Sequence, residues 1–342
     1  MGIGIRIENL RKVFDTPPPM AGRGAGFSFT PARSGRKDTS PKKFELVALD
    51  GVSFEIRAGE IFGLLGPNGA GKSTTIGILT TRTQPTSGRA IIGEYDVWQE
   101  QVKAKRLIGV VPQRPNLDFS LTAREILTFH GAYFGQSFRE RERRADELLE
   151  KFKLTDRATH MVRTFSGGMM QRLSIARAMM HDPEVMFLDE PSAGLDPQTR
   201  LLLWDTIREY NRLGKTIVLT THYMDEADAL CHRLAIIDHG KIIAEGTPTE
   251  LKATIPGGYL LRLRFDRISE ALLNDLRALP GVTEVRSAEA CSVDVYAGSG
   301  GPLIGPIVNA AVAAGMELRD VHIQEPSLET LFLHHTGRSL RD

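Results

Sequence analysis

Nine consecutive residues, Gly66 to Thr74, constrain the fold of this chain more than any other feature. They read GPNGAGKST, match the pattern G-x-x-x-x-G-K-[ST], follow the apolar run Ile61–Leu65 and precede a helical pattern. In this context the backbone N–H groups of the loop surround a polyphosphate at the positive end of the helix. The pattern therefore predicts an α/β fold that binds nucleotide through Gly66, Pro67, Asn68, Gly69, Ala70, Gly71, Lys72, Ser73 and Thr74.

Two side chains of this loop and two later carboxylates predict the chemistry. Lys72 is placed to bind the β- and γ-phosphates, and the Ser73 hydroxyl to bind Mg²⁺. Asp189 and Glu190 follow the apolar run 185–188, and ligands bind at the carboxyl ends of parallel strands. We expect Asp189 to hold Mg²⁺ and Glu190 to act as the general base that polarises the attacking water.

The order of predicted elements indicates two domains. With 342 residues, the chain exceeds the roughly 250–300 residues that one core usually serves. Strands and helices alternate from residue 46 to 254, which predicts a mostly parallel sheet covered on both faces. We expect a nucleotide-binding domain at 1–255, with a helical subdomain at about 114–180. After it, the order β-α-β-β-α-β predicts a small ferredoxin-like domain at 256–342.

Residues 15–44 differ in composition from the rest of the nucleotide-binding domain. Glycine and proline are frequent, and six basic residues accompany only two acidic ones. Such a segment buries too little apolar surface to offset the entropy of ordering it, so we expect a flexible basic insertion. Two alternatives stay open: a surface loop without function, or a loop that touches anionic lipid or a partner.

Charge, cysteine content and hydropathy exclude several protein classes. A net charge of +1 disfavours non-specific binding to nucleic acid, so we expect no nucleic-acid partner. Cys231 and Cys291 are too few for a disulfide framework or a structural zinc site, and we expect both to be buried. The longest near-apolar stretch, 302–316, is shorter than the roughly 20 residues of a membrane span. These features predict a cytoplasmic protein.

A third motif makes the chain resemble a known family. Phe165-Ser166-Gly167-Gly168-Met169 is similar to the signature sequence of the nucleotide-binding subunits of ABC transporters. The resemblance implies a P-loop NTPase core of the ABC type, with a helical subdomain and a small α+β C-terminal domain. It also implies that Ser166, Gly167, Gly168 and Met169 grip the γ-phosphate of ATP held by a second copy. Phe165 and Met169 stand where the family usually has Leu and Gln.

The resemblance assigns roles to four further residues. Gln113 is similar to the glutamine that joins Ser73 and Asp189 around Mg²⁺. His222 is similar to the histidine that contacts the γ-phosphate and acts in catalysis with Glu190. Asp196 belongs to the loop that communicates across the dimer, and Phe14 is the expected aromatic ring on adenine.

Within the family, the tail from Pro326 to Arg338 resembles the daunorubicin-resistance type. This implies an ATP-hydrolysing subunit, with ATP and Mg²⁺ as cofactors, that energises export of a small amphipathic compound. Its implied partners are a second copy and a separate integral membrane permease on the inner face of the cell membrane. A soluble ABC ATPase without transport and an importer subunit remain alternatives. Leu328, Leu331 and Phe332 either pack the small domain or form a dimer contact.

Overall fold

The structure is a computed structural model that describes residues 2–16, 44–287 and 291–336. Its strands are β1 (Ile5–Thr16), β2 (Phe44–Ile56), β3 (Ile61–Leu65), β4 (Ser87–Ile92), β5 (Tyr95–Asp96), β6 (Ile108–Val111), β7 (Val185–Asp189), β8 (Thr216–Thr221), β9 (Arg233–Asp238), β10 (Lys241–Gly246), β11 (Tyr259–Phe265), β12 (Val282–Ser287), β13 (Ser292–Ala297) and β14 (Leu318–Gln324). Its α-helices are α1 (Lys72–Leu79), α2 (Gln101–Leu107), α3 (Ala123–Tyr133), α4 (Phe138–Lys151), α5 (Gly167–Ala178), α6 (Pro197–Arg212), α7 (Met224–Leu230), α8 (Pro248–Ala253), α9 (Glu270–Arg277), α10 (Ile304–Ala313) and α11 (Leu328–Thr336). Within these ranges, no helix has both the length and the apolarity that a bilayer crossing requires.

The central sheet confirms the predicted mostly parallel architecture. Its strand order is β10-β9-β3-β8-β7-β6, and only β10 runs antiparallel to its neighbour. Every residue of β3, β7 and β8 is buried, as in a sheet covered on both faces. In the register, Leu65 lies beside Thr221 and Asp189 beside Thr220. The carboxyl ends of these three strands therefore meet at one edge of the sheet.

A second, antiparallel sheet with the order β2-β1-β4-β5 was not predicted. Strand β4 escapes prediction because it begins Ser87-Gly88-Arg89, residues typical of a turn. The predicted insertion at 15–44 is corrected at its ends, because Asp15, Thr16 and Phe44 belong to paired strands. The rest of that segment, 17–43, lies outside the described residues.

The pairing of Thr16 with Phe44 allows a direct test of the segment between them. Because the two residues are register partners in an antiparallel pair, a two-residue Asn-Gly turn can replace residues 17–43. We expect the shortened chain to fold with an equal or higher free energy of unfolding, since a shorter loop loses less closure entropy. Urea denaturation and ATPase assays check this. A clear drop in stability would show that residues 17–43 contribute to the fold.

Helices α3, α4 and α5 pack together beside the central sheet. Two of them start at capping boxes, in which Thr122 pairs with Glu125 and Ser137 pairs with Glu140. Such reciprocal hydrogen bonds satisfy N–H groups that the first helical turn leaves without partners. The apolar faces of α3 and α4 bury residues such as Leu127 and Leu148. This packing holds α5, whose first turn carries the signature-like sequence.

Between α3 and α5, an aromatic cluster predicts a pH dependence of stability. The Phe134 ring stacks on His181 with centroids 3.7 Å apart, and His130 lies 5.5 Å from His181. Burial lowers the pKa of His130 to about 3, and the nearby charges of His181 and Arg177 act in the same direction. Between pH 6.5 and 3 the unfolded chain therefore binds a proton that the folded chain does not. The free energy of unfolding should therefore decrease as the pH is lowered through this range, by up to about 1.4 kcal/mol per pH unit.

Substitution of His130 by Phe isolates this contribution. The Nε2 atom of His130 has no hydrogen-bond partner within the described part of the chain, so a phenyl ring loses no bond. We expect His130→Phe to lose less unfolding free energy than the original protein between pH 7 and pH 5. His160→Phe, at an exposed site, is the matched control. Equal pH slopes for all three proteins would contradict the assignment.

The C-terminal part has its own antiparallel sheet, with the order β12-β13-β11-β14. Helices α9 and α10 cover one face, and the elements follow the β-α-β-β-α-β order. Ser327 caps the last helix, because its hydroxyl accepts the Thr330 N–H at 3.1 Å. Cys231 is buried, but the expectation for Cys291 is wrong. Cys291 is only half-buried, because it occupies a turn residue with φ +68° before β13.

The last helix, α11, packs back onto α7 and α8. Leu328, Leu331 and Phe332 are almost fully buried and share an apolar cluster with Leu251 and Ile255. Leu260 of β11 and Tyr296 of β13 belong to the same cluster. The apolar side chains of α11 therefore join the C-terminal sheet to α7 and α8, rather than packing against that sheet alone.

Candidate active site

The phosphate-loop residues link the end of β3 to the start of α1 in a backbone path that excludes larger side chains. A Cβ atom on Gly66 would lie 2.2 Å from the Ile237 carbonyl oxygen. Gly71 has φ +114°, and a Cβ there would lie 2.7 Å from Leu49 Cδ2. Both positions therefore require glycine. Neither a side-chain cap nor an acidic residue occupies the first turn of α1, so its N–H groups are available to an anion.

The Lys72 ammonium lies beneath this loop. Its Nζ donates to the carbonyl oxygens of Gly66 and Pro67, at 2.6 and 3.1 Å, and lies 3.5 Å from Glu190 Oε1. Burial lowers the pKa of Lys72, whereas the carboxylates of Glu190 and Asp189 act against that shift. An ammonium at this place beneath the loop can form charge-assisted hydrogen bonds to phosphate oxygens.

A hydroxyl pair surrounds the carboxylate at the end of β7. Thr220 Oγ1 donates to Asp189 Oδ1 at 2.6 Å, and Ser73 Oγ lies 3.4 Å from the same oxygen. Asp189 is 6% exposed. Thr220 is not among the predicted site residues. A polar residue near the carboxyl end of an apolar strand is the sequence signal that could have identified it. These contacts fix the orientation of the Asp189 carboxylate toward the first turn of α1.

Three predicted residues converge on the Glu190 carboxylate. Gln113 Nε2 donates to Glu190 Oε2 at 2.8 Å, and Lys72 reaches the other oxygen. His222 Nδ1 lies 3.2 Å from Oε2 without the alignment of a hydrogen bond. Lys72 is the first residue of α1, Gln113 lies in the segment after β6, and His222 directly follows β8. One site therefore collects Lys72, Gln113, Glu190 and His222.

The backbone of Glu190 is strained. Its φ of +47° lies in the left-handed region, which non-glycine residues rarely adopt. The Glu190 N–H donates to Thr220 O and Oγ1, both at 3.1 Å, and these bonds hold the conformation. Such strain persists where surrounding contacts determine the geometry, and it concentrates at functional sites.

The signature-like residues and Asp196 lie at the starts of two helices, where Ser166, Gly167 and Asp196 are exposed. Ser166 caps α5 by accepting the Met169 N–H at 3.3 Å, and Gly167 has open space at its Cβ position. Asp196 caps α6, and the hydrogen bond from the Thr199 hydroxyl is the main cause that lowers its pKa. Among the described residues, no hydrogen bond or ion pair joins Ser166–Met169 to the phosphate loop. The structure thus does not bring these two groups together within one chain.

Phe14 lies on the antiparallel strand pair beside the loop. It is 36% exposed, its register partner is Leu46, and the Lys12 ammonium lies 4.7 Å from its ring centroid. Strand β2 continues to Leu49, whose side chain fills the space at Gly71. The strand pair that carries Phe14 therefore packs against the phosphate loop and presents an accessible aromatic ring.

Comparison with curated proteins identifies relatives along most of the chain. A family model described as ABC transporter matches residues 49–193. The linearmycin resistance ATP-binding protein LnrL of Bacillus subtilis is 43% identical over 85% of this chain and 94% of its own. The Nod factor export ATP-binding protein I of Cupriavidus metallidurans is 40% identical over 86% of this chain and 94% of its own. The daunorubicin/doxorubicin resistance ATP-binding protein DrrA of Streptomyces peucetius is also 40% identical, over 86% and 89%.

Solved structures agree with the fold. A dimeric ATP-binding cassette in a post-hydrolysis state, with ADP and phosphate bound, has a TM-score of 0.60 at 27% identity, over 71% of this chain and 98% of its own. The ATP-binding subunit of an ABC transporter has a TM-score of 0.59 at 28% identity, over 73% and 92%. The predicted ATP-hydrolysing fold is thereby confirmed. This chain belongs to the ATP-binding, ATP-hydrolysing subunits of the ABC transporter family.

Proposed function

We propose that the chain hydrolyses Mg²⁺-bound ATP as a pair of identical subunits and energises export of a small amphipathic compound through a separate membrane permease. The observation that carries this proposal is the convergence of Lys72, Gln113 and His222 on the Glu190 carboxylate. Ser166 and Gly167 of the signature-like sequence lie exposed elsewhere. The first group can bind and hydrolyse the nucleotide. The second group is available to a nucleotide held by another copy.

The donor set beside the loop suits Mg²⁺. This ion binds proteins through one or two carboxylates and shares substrate phosphate oxygens. Ser73 and Asp189 supply a hydroxyl and a carboxylate within 3.4 Å of each other, and the side-chain amide of Gln113 is the third candidate ligand. When bound, the ion would neutralise phosphate charge. Gly66 to Thr74 would surround the phosphates, and Phe14 would stack on the adenine.

Glu190 is the general base in this proposal, and His222 assists it. A carboxylate held by Gln113 and flanked by Lys72 can orient a water and accept its proton. The His222 ring, whose Nδ1 lies near Glu190 Oε2, can donate a hydrogen bond to the charge that develops on the γ-phosphate. Both side chains lie at the sheet edge where the nucleotide binds, which supports these roles.

Two copies complete the site in this proposal. Ser166, Gly167, Gly168 and Met169 would contact the γ-phosphate on the opposite subunit, and Asp196 would lie in the loop that communicates between subunits. The dimeric state of related cassette structures supports this arrangement. We further propose that residues 1–255 form the nucleotide-binding domain, with a helical subdomain at about 114–180, and that 256–342 form an accessory domain.

A groove of about 500 Å³ is the proposed docking site for the permease. It lies between α2, α3 and the end of α5, and its residues include Val102, Arg106, His130, Tyr133, Phe134 and Arg177. Val102 and Tyr133 are 69% and 83% exposed. Apolar side chains next to basic ones suit an amphipathic permease segment that carries a carboxylate. The chain would thereby attach to the inner face of the membrane.

Export is preferred over the two alternatives because the matched relatives are described as export or resistance proteins. Import would require the opposite direction of flux, and a soluble ATPase would need no permease. The test is co-purification with the product of a neighbouring permease gene, followed by ATP-driven transport in vesicles of known orientation. Absence of a permease partner would support the soluble alternative.

Substitutions in the groove separate docking from hydrolysis. Tyr133→Asp should keep the ATPase activity of the isolated chain and weaken permease binding, because it places a charge at the exposed aromatic. Phe138→Asp is the control, since Phe138 is 66% exposed but does not line the groove. If both variants bind the permease like the original protein, the docking site lies elsewhere.

A further inference from the structure

A fully buried carboxylate outside the nucleotide site joins two catalytic segments. Glu226 lies on α7, four residues after His222, and has no exposed surface. Its Oε1 accepts hydrogen bonds from the Ser192 hydroxyl and from Trp204 Nε1, the latter at 3.2 Å. Burial raises the pKa of Glu226, and these hydrogen bonds oppose that shift.

Ser192 belongs to the loop that follows Glu190. It follows Glu190 by two residues, is fully buried, and its carbonyl accepts the Leu195 N–H at 3.2 Å. On the other side, Gln171 Nε2 of the signature helix α5 donates to Pro191 O at 3.0 Å. The loop is therefore held from α5 at one residue and from α7 at the next.

The burial of the Glu226 carboxylate has an unfavourable free energy of desolvation, so packing alone does not explain this residue. Removing a carboxylate from water is unfavourable, and an apolar residue of similar volume avoids that penalty. Glu226 supplies what an apolar residue cannot, namely one acceptor for two donors from separate elements. Without it, the buried Ser192 hydroxyl would have no partner, and the strained backbone at Glu190 would lose a restraint.

We propose that Glu226 is a positioning residue for ATP hydrolysis: through Ser192 it ties the loop after β7 to α7 and so fixes Glu190 relative to His222. This inference rests on the proposed roles of Glu190 and His222. Glu226 does not touch nucleotide in this arrangement. It acts on the hydrolysis step by keeping the base in its productive geometry, where displacements near 1 Å can reduce rates about 100-fold.

The test compares two variants that each remove one donor to the same oxygen. Ser192→Ala detaches the loop from α7, whereas Trp204→Phe removes the bond from α6 and leaves the loop attached to α7. We expect Ser192→Ala to lower kcat between about 10- and 100-fold with KM for ATP unchanged, and Trp204→Phe to keep both. An equal fall in kcat for both variants, or none for Ser192→Ala, would overturn the proposal. Thermal unfolding of both measures the purely structural loss.

Substitution of Glu226 itself provides a rescue. Glu226→Gln retains a carbonyl oxygen that can accept from Ser192 and Trp204, whereas Glu226→Leu fills the space without an acceptor. The glutamine variant should therefore keep most of the kcat that the leucine variant loses. Adding Ser192→Ala to Glu226→Leu should cause no further loss, because both act through one contact. Additive losses would mean that Ser192 acts through something other than Glu226.

Glu190→Gln distinguishes a failure of the proposed base from a failure of the inference about Glu226. If that variant still hydrolyses ATP, the proposed base is wrong, whatever Ser192→Ala does. If Glu190→Gln is inactive and Ser192→Ala is unchanged, only the inference about Glu226 fails. ATP-dependent dimerisation of Ser192→Ala, measured in the Glu190→Gln background by size-exclusion chromatography, should match that of Glu190→Gln alone. A lost dimer would assign Ser192 to subunit contact and contradict the positioning role.

Discussion

Glu190→Gln should reduce ATP turnover at least about 100-fold while ATP binding persists. The amide keeps the shape of the side chain and can still contact Gln113 and Lys72, but it cannot accept a proton from water. Because the γ-phosphate then stays in place, the ATP-bound dimer should accumulate. Single-turnover hydrolysis, nucleotide affinity and light scattering measure these three effects.

Glu184→Gln is the matched control for this experiment. Glu184 precedes β7, at the opposite end of the strand that delivers Asp189 and Glu190, and pairs with Lys215 at 3.1 Å. We expect it to change stability slightly and turnover not at all. Near-normal hydrolysis by Glu190→Gln would instead remove Glu190 from the role of base and leave His222 as the next candidate.

The second large effect is expected at Lys72. Lys72→Met should weaken ATP affinity by roughly 10- to 100-fold, because charge-assisted hydrogen bonds contribute about 1.5–3 kcal/mol each. The side chain is only 5% exposed and already held by two loop carbonyls, so little ordering entropy is lost when phosphate binds. Fluorescence titration with an ATP analogue, with and without Mg²⁺, measures the loss.

Lys215→Met controls for the loss of any buried lysine. The Lys215 side chain is 10% exposed, and its ammonium pairs with Asp182 and Glu184 at the far end of the sheet. This variant should unfold more easily but bind nucleotide normally, because its lysine is remote from the phosphate loop. Unchanged ATP affinity in Lys72→Met would contradict the proposed phosphate contact.

The motifs predict most of the central architecture because their requirements are local. A strand, a glycine-rich loop and a helix determine one another within 20 residues, so the elements around Gly66 to Thr74 follow from spacing alone. The positions of Asp189 and Glu190 at a strand end follow from the same reasoning.

The remaining features depend on contacts between distant segments. Strand β4 pairs with β1 about 80 residues earlier, and no local pattern in its Ser-Gly-Arg start indicates that pairing. The contact between Ser192 and Glu226 links the loop after β7 to helix α7, and the two residues are 34 positions apart. Likewise, an apolar stripe on α11 shows that the helix is buried, but not that its partners include α7 and α8.

The packing of α11 on α7 and α8 has a practical consequence for experiments with truncated forms of this protein. A fragment that ends at residue 255 would expose the apolar side chains of Leu230, Leu251 and Ile255 to solvent, whereas the full-length chain buries them. Such fragments would associate through this exposed apolar surface, with or without nucleotide. Such an oligomer would be difficult to distinguish from the proposed ATP-bound dimer, so measurements of assembly require the full-length chain.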